Sequence, residues 1–137
     1  MLERLVLPSA GLEQMRVHAA RCAPEEACGL LAGKGERVET FFEVENELHS
    51  ATRFRMQPAE QLEVFRWMDR QDLELTAIYH SHPSGPSQPS PTDIREFAYP
   101  GVCMLILSPG SGGWEARAYF VEGDGYTELP IMLSETE

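Results

Sequence analysis

The segment from His80 to Asp93 constrains the fold of this chain more than any other. It reads His80-Ser81-His82-Pro83, then a stiff loop, then Pro89-Ser90-Pro91-Thr92-Asp93. Leu73 to His80 reads as a strand, with Leu75-Thr76-Ala77-Ile78-Tyr79 as its middle. Side chains alternate in direction along a strand, so His80 and His82 lie on one side at its end. The following loop holds Pro83, Gly85, Pro86 and Pro89, which restricts the chain and shrinks the entropy lost on ordering it. It returns a carboxylate, Asp93, thirteen residues after the first His. Two imidazole nitrogens and one carboxylate oxygen make the protein half of an open zinc site, with the fourth corner left for water. Such a site suits hydrolysis, because bound Zn²⁺ lowers the pKa of its water to about 7.

Ser90 and Asp93 also have a plain structural reading. A Ser N-cap with Asp at the third helical position starts many helices. The two roles are compatible, since a helix N-terminus also presents N–H groups to developing negative charge. Ser90 can then start the helix and offer its hydroxyl toward an oxyanion. A hydrolase of this kind further needs a base that takes the proton of water and passes it to the leaving amine. Glu25 and Glu26 sit where a helix hands over to a buried strand, and spacing alone does not choose between them. A carboxyl aimed into an apolar-walled cleft would have its pKa raised.

Along the rest of the chain, Leu12, Met15, Ala19 and Cys22 mark one face of a helix that Pro24 closes. Residues 27–33 read as a short buried strand, 33–36 as a turn and Val38 to Val44 as a second strand. Residues 45–55 are polar and irregular, with Phe54 and Met56 as anchors. Pro58 suits the first position of a helix ending near Gln71, and Leu62, Phe65 and Met68 mark its apolar face. After the helix at Ser90 come a strongly apolar strand over 102–107, a partner over 114–121 and a last strand near 126–129. That order predicts an α+β or mixed α/β domain with a central sheet and helices on its faces.

Composition narrows the functional classes. The 137 residues suit one domain, 1–137. A net charge of −11 argues against sequence-independent binding to nucleic acid. No stretch approaches the ~18 apolar residues of a membrane span, and the first residues lack the apolar core of a signal peptide; the expected location is the cytoplasm. Cys22, Cys28 and Cys103 form no C-x-x-C pair and fit reduced thiols, the last two in the core. His18 and His49 are expected to be surface or satisfied core groups, and Trp67 and Trp114 to serve the core.

An iron oxygenase with two His and one carboxylate would also leave open metal positions. Cupin-type sites of that kind follow H-x-H with a nearby Glu and a later His. Here Ser84 to Ser87 holds no acid, and no His follows His82.

Together, Glu25-Glu26-Ala27-Cys28-Gly29-Leu30-Leu31 and the two segments at 80–83 and 89–93 resemble the JAMM (MPN-plus) zinc metalloproteases, most closely their small single-domain prokaryotic members. The resemblance implies the MPN fold, a curved mixed sheet flanked by helices in a three-layer, cytidine-deaminase-like arrangement. It implies that His80, His82 and Asp93 hold Zn²⁺, that Glu26 is the general acid/base and that Ser90 steadies the oxyanion. The implied substrate is an isopeptide, peptide or related amide bond after the C-terminal Gly-Gly of a ubiquitin-like or sulfur-carrier protein. The rival within that resemblance is a non-catalytic MPN-type module that only grips such a tail.

Overall fold

Leu31, Ala77 and Tyr79 share one core with Leu12, Met15 and Ala19, whereas Leu30 and Ile78 share another with Val64 and Phe65. That period-2 alternation makes the strands two-sided and places a helix on each face. A computed structural model describes residues 2–135. Its elements are β1 (Leu5–Pro8), α1 (Ser9–Cys22), β2 (Cys28–Lys34), β3 (Arg37–Val44), α2 (Pro58–Gln71), β4 (Glu74–Ser81), α3 (Pro91–Glu96), β5 (Cys103–Gly110), β6 (Gly113–Glu122), β7 (Gly125–Leu129) and β8 (Ile131–Ser134). The strands form one mixed sheet in the order β7-β6-β5-β4-β2-β3-β1-β8. Helix α1 covers one face and α2 the other, as the expected α+β arrangement requires.

The two edge strands are consecutive in the chain. Only Pro130 separates β7 from β8, so Leu129 and Ile131 lie within about 7 Å, twice the extended rise per residue. The sheet therefore curls until its edges nearly meet, and Leu5 N–H on β1 donates to Pro130 O at 3.0 Å, holding the joint between β7 and β8. Register shifts on β2, next to Ala32, accompany the bend. Strands β1 and β8 were absent from the sequence reading. Both have four residues, and they pair in parallel with each other from opposite ends of the chain, which leaves no local turn to signal them.

The apolar face of α2 also differs from expectation. Leu62 is exposed, whereas Val64, Phe65 and Met68 turn inward. Steps of three residues drift around a helix of 3.6 residues per turn, so Leu62 rotates off the face that Phe65 and Met68 share.

Gly29 is required by packing. A Cβ there would lie 2.2 Å from the Tyr79 ring and 2.3 Å from the Phe42 carbonyl oxygen. Tyr79 is fully buried and precedes His80 on β4. Gly29→Ala is expected to destabilise the protein by roughly 2–4 kcal/mol through strand displacement. Denaturant unfolding checks this; a change below about 1 kcal/mol would mean the strand yields freely.

Candidate metal centre

Helix α3 begins with a capping box. Ser90 Oγ accepts from Asp93 N–H at 2.9 Å, Ser90 N–H donates to Asp93 Oδ2 at 2.9 Å, and Pro91 follows the cap. The same Oδ2 lies 3.1 Å from His80 Nε2 and 3.0 Å from His82 Nε2, and the two Nε2 atoms are 3.1 Å apart. The capping and ligand readings of Asp93 therefore describe one side chain in one conformation. Corners of a tetrahedron with bonds of about 2.0–2.1 Å lie about 3.3 Å apart. Three donors at 3.0–3.1 Å fit three such corners, and the group is buried.

Each imidazole is oriented by its surroundings. His82 Nδ1–H donates to the Pro86 carbonyl at 2.7 Å, which leaves the Nε2 lone pair facing its partners. Phe54 stacks on His80 with ring centroids 4.6 Å apart. Burial pushes the His80 pKa down. Burial also acts to lower that of His82, but Asp93 and the Pro86 carbonyl outweigh it and raise it. Burial likewise opposes ionisation of Asp93, yet the two imidazoles and the Ser90 N–H hold its carboxyl far below the usual carboxylate range. A cation shared by the three would be held by two Nε2 lone pairs and the carboxylate. Among the described residues, this is the one group of His, Cys, Asp and Glu side chains close enough to hold a metal ion.

The strand register separates the two glutamates. Cys28 pairs with His80 across β2 and β4, and Ser81 N–H donates to Ala27 O at 3.0 Å. Glu26, two residues before Cys28, thus projects to the side of the histidines. Glu25 points outward and contacts His49 Nδ1 at 3.2 Å. Glu26 is 3% exposed, and its Oε1 has no hydrogen-bond partner among the described residues. Burial pushes its pKa from 4.5 up to about 8, partly offset by His82 and reinforced by Asp93.

This shift gives a stability prediction. Below about pH 4.5 Glu26 is neutral in both folded and unfolded chains; above that only the unfolded chain ionises freely, until the folded group follows near pH 8. The contribution of Glu26 to the stability of metal-free protein therefore falls across that window. Metal-free Glu26→Gln, neutral throughout, is expected to exceed the metal-free parent by on the order of 3 kcal/mol at pH 8, with the difference vanishing near pH 4.5. Equal melting temperatures at both pH values would contradict the burial of an unpaired carboxyl.

Asn46 carried no signal in a run of glutamates, yet it is buried and holds the 45–56 segment in place. Its Nδ2 donates to Glu26 O and Arg53 O, and its Oδ1 accepts from Leu48 N–H and Arg55 N–H, all at 3.1 Å. The segment thereby ties the Glu26 backbone to Phe54. Ser90 Oγ spends a lone pair on the cap and keeps its hydroxyl hydrogen for another acceptor. Beside Asp93 opens a cavity of about 490 Å³ with Phe54, Met56, Ile78, Phe97, Tyr99 and Met104 in its walls. Arg53 and Glu96, ion-paired, line it too.

Of the other expectations, His18 is a satisfied core histidine whose Nδ1 lies 2.7 Å from the Tyr79 hydroxyl. His49 is on the surface. All three cysteines are free, Cys28 and Cys103 buried. Trp67 packs edge-on against Phe42 and Trp114 against the α1-side core, both half-buried. No helix among the described residues is long and apolar enough to cross a membrane.

Comparison with known proteins shows which proteins the chain is similar to. A family model described as prokaryotic homologues of the JAB domain matches residues 8–120. The CysO-cysteine peptidase of Mycobacterium tuberculosis is 34% identical over 134 residues, covering 96% of this chain and 92% of that protein. A probable TtuB-protein conjugate cleaving protease of Thermus thermophilus is 43% identical over 116 residues, covering 77% and 78%. The solution structure of DSY2949 from Desulfitobacterium hafniense superposes with a TM-score of 0.86 at 32% identity, covering 96% of this chain and 94% of that one.

Proposed function

As a member of the prokaryotic JAB-domain family, the JAMM type, this chain is a hydrolase, and we propose that it cleaves the amide bond joining a ubiquitin-like or sulfur-carrier protein, through its C-terminal Gly-Gly, to an amine. The observation that carries this reading is the buried trio of His80, His82 and Asp93 with the unpartnered carboxyl of Glu26 on the same side of the sheet. Two neutral nitrogens and one carboxylate suit Zn²⁺, which when bound polarises the scissile carbonyl and acidifies water.

The chain's own groups do the rest. The ionised carboxyl of Glu26, without a hydrogen-bond partner, takes the proton of the attacking water and delivers it to the leaving nitrogen. Ser90 turns its free hydroxyl hydrogen toward the developing oxyanion, a contact of a class worth about 3–4 kcal/mol. The apolar cavity beside Asp93 receives the carrier's tail and holds the carbonyl in place. The whole chain acts as one cytoplasmic domain.

Purified, zinc-loaded protein mixed with a carrier–lysine conjugate tests the proposal. Mass spectrometry should show intact carrier ending in a Gly-Gly carboxylate, and a chelator should stop its appearance. Cleavage elsewhere in the carrier, or none with zinc bound, would refute it.

A further inference from the structure

The loop from Pro83 to Pro89 joins His82 to the cap of α3, and so carries Ser90 and Asp93 to the histidines. Pro83, Pro86 and Pro89 have no N–H to donate, so the loop is held largely through its carbonyls. Two consecutive ones accept from side chains. His82 Nδ1–H donates to Pro86 O at 2.7 Å, and the Tyr119 hydroxyl donates to Ser87 O at 2.6 Å. The first donor belongs to the metal centre; the second stands on β6. Met104 pairs with Ile78 across β4 and β5 and with Tyr119 across β5 and β6. Paired side chains share a face, so the Tyr119 ring lies on the face of the sheet that bears His80. Packing holds that ring in place. Tyr119 is 1% exposed, clusters with Met104 and Ile106, and meets Tyr126 edge-on with ring centroids 5.3 Å apart. Burial raises its pKa, so the phenol keeps its proton and remains a donor.

Resting on the hydrolase reading above, we propose that Tyr119 is a positioning residue of the metal centre. By holding the Ser87 carbonyl it steadies the adjacent Pro86 carbonyl that orients His82, and the start of α3 that delivers Ser90 and Asp93. Only the two backbone dihedrals of Ser87 separate the two peptide units, so slack at one reaches the other. Tyr119 acts through these groups alone: it is outside the converging donors and outside the walls of the apolar cavity.

Tyr119→Phe removes the hydroxyl and keeps the ring. Tyr126→Phe, at a largely exposed position, is the control. NMR of the histidine rings in metal-free parent should show the His82 Nδ1–H proton as a slowly exchanging signal, and Tyr119→Phe should lose or broaden it. Zinc affinity, from competition with a chelator of known strength, should fall about tenfold in Tyr119→Phe, the lower end of what outer partners of metal ligands supply. At saturating zinc, kcat toward a Gly-Gly-linked carrier conjugate should fall about fivefold with KM unchanged, because the cavity walls are intact. Tyr126→Phe should match the parent throughout. A parental value in Tyr119→Phe for the His82 signal, the zinc affinity or kcat overturns this inference, whatever the melting temperature, and leaves the hydrolase reading standing. Equal losses in Tyr126→Phe do the same, and so does a rapidly exchanging Tyr119 hydroxyl in the parent, a measurement that needs no variant. Parent protein that binds no zinc overturns both.

Discussion

Glu26→Gln is expected to keep its metal and lose about 10²–10⁴-fold in kcat, the range that a positioned general acid–base supplies. The substitution preserves shape and burial but removes the ability to take a proton. Because Glu26 is not among the three converging donors, metal content measured after gel filtration should equal that of the parent. KM should move little, since substrate is held by the cavity walls and not by this carboxyl. Glu25→Gln is the control: its carboxyl reaches His49 on the surface, and activity should stay within a few-fold of the parent. A Glu26→Gln enzyme at the native rate, or a dead Glu25→Gln, would reverse the assignment that the β2–β4 register makes.

The second large effect is on the metal itself. His82→Ala removes one of three donors and its anchor on Pro86, whereas Asp93→Asn keeps an oxygen that can accept from Ser90 N–H but discards the charge. Outer partners of metal ligands alone cost 10–100-fold in affinity, so either change should weaken binding by on the order of 10³-fold or more. Both variants should purify without metal and without activity. Chelated parent protein should behave alike and recover on adding Zn²⁺. A metal present at a thousand times its Kd adds about 4 kcal/mol to stability, which corresponds to a rise in Tm of roughly 10 °C or more for a domain of this size. An unchanged melting temperature between chelated and loaded protein would show that no cation sits among the three side chains.

Much of the site was legible because its parts are local. The H-x-H pair needs only the two-residue period of a strand, and the Ser90–Asp93 start of α3 needs only capping chemistry. Both are set within a few residues of sequence. The choice of Glu26 over Glu25 came from resemblance and not from spacing, since it depends on how β2 pairs with β4, some fifty residues away. Asn46 was invisible for a related reason. Amid Glu45 and Glu47 it reads as solvated loop, and only the folded chain brings Glu26, Arg53 and Arg55 to its carboxamide. Strands β1 and β8 failed to register because four residues carry too little periodicity, and their partners are remote in sequence. Leu62 looked inward under a three-residue count that the helix does not keep. Long-range pairing and the exact helical phase are what the sequence withheld.

The most direct measurement is X-ray absorption at the zinc edge on protein purified without added metal and kept free of substrate. One zinc per chain, bound by two imidazole nitrogens and one carboxylate oxygen with a water-type oxygen in the fourth position, all near 2.0–2.1 Å, is the predicted result. A fourth protein ligand closing the site, or sulfur among the ligands, would contradict the account.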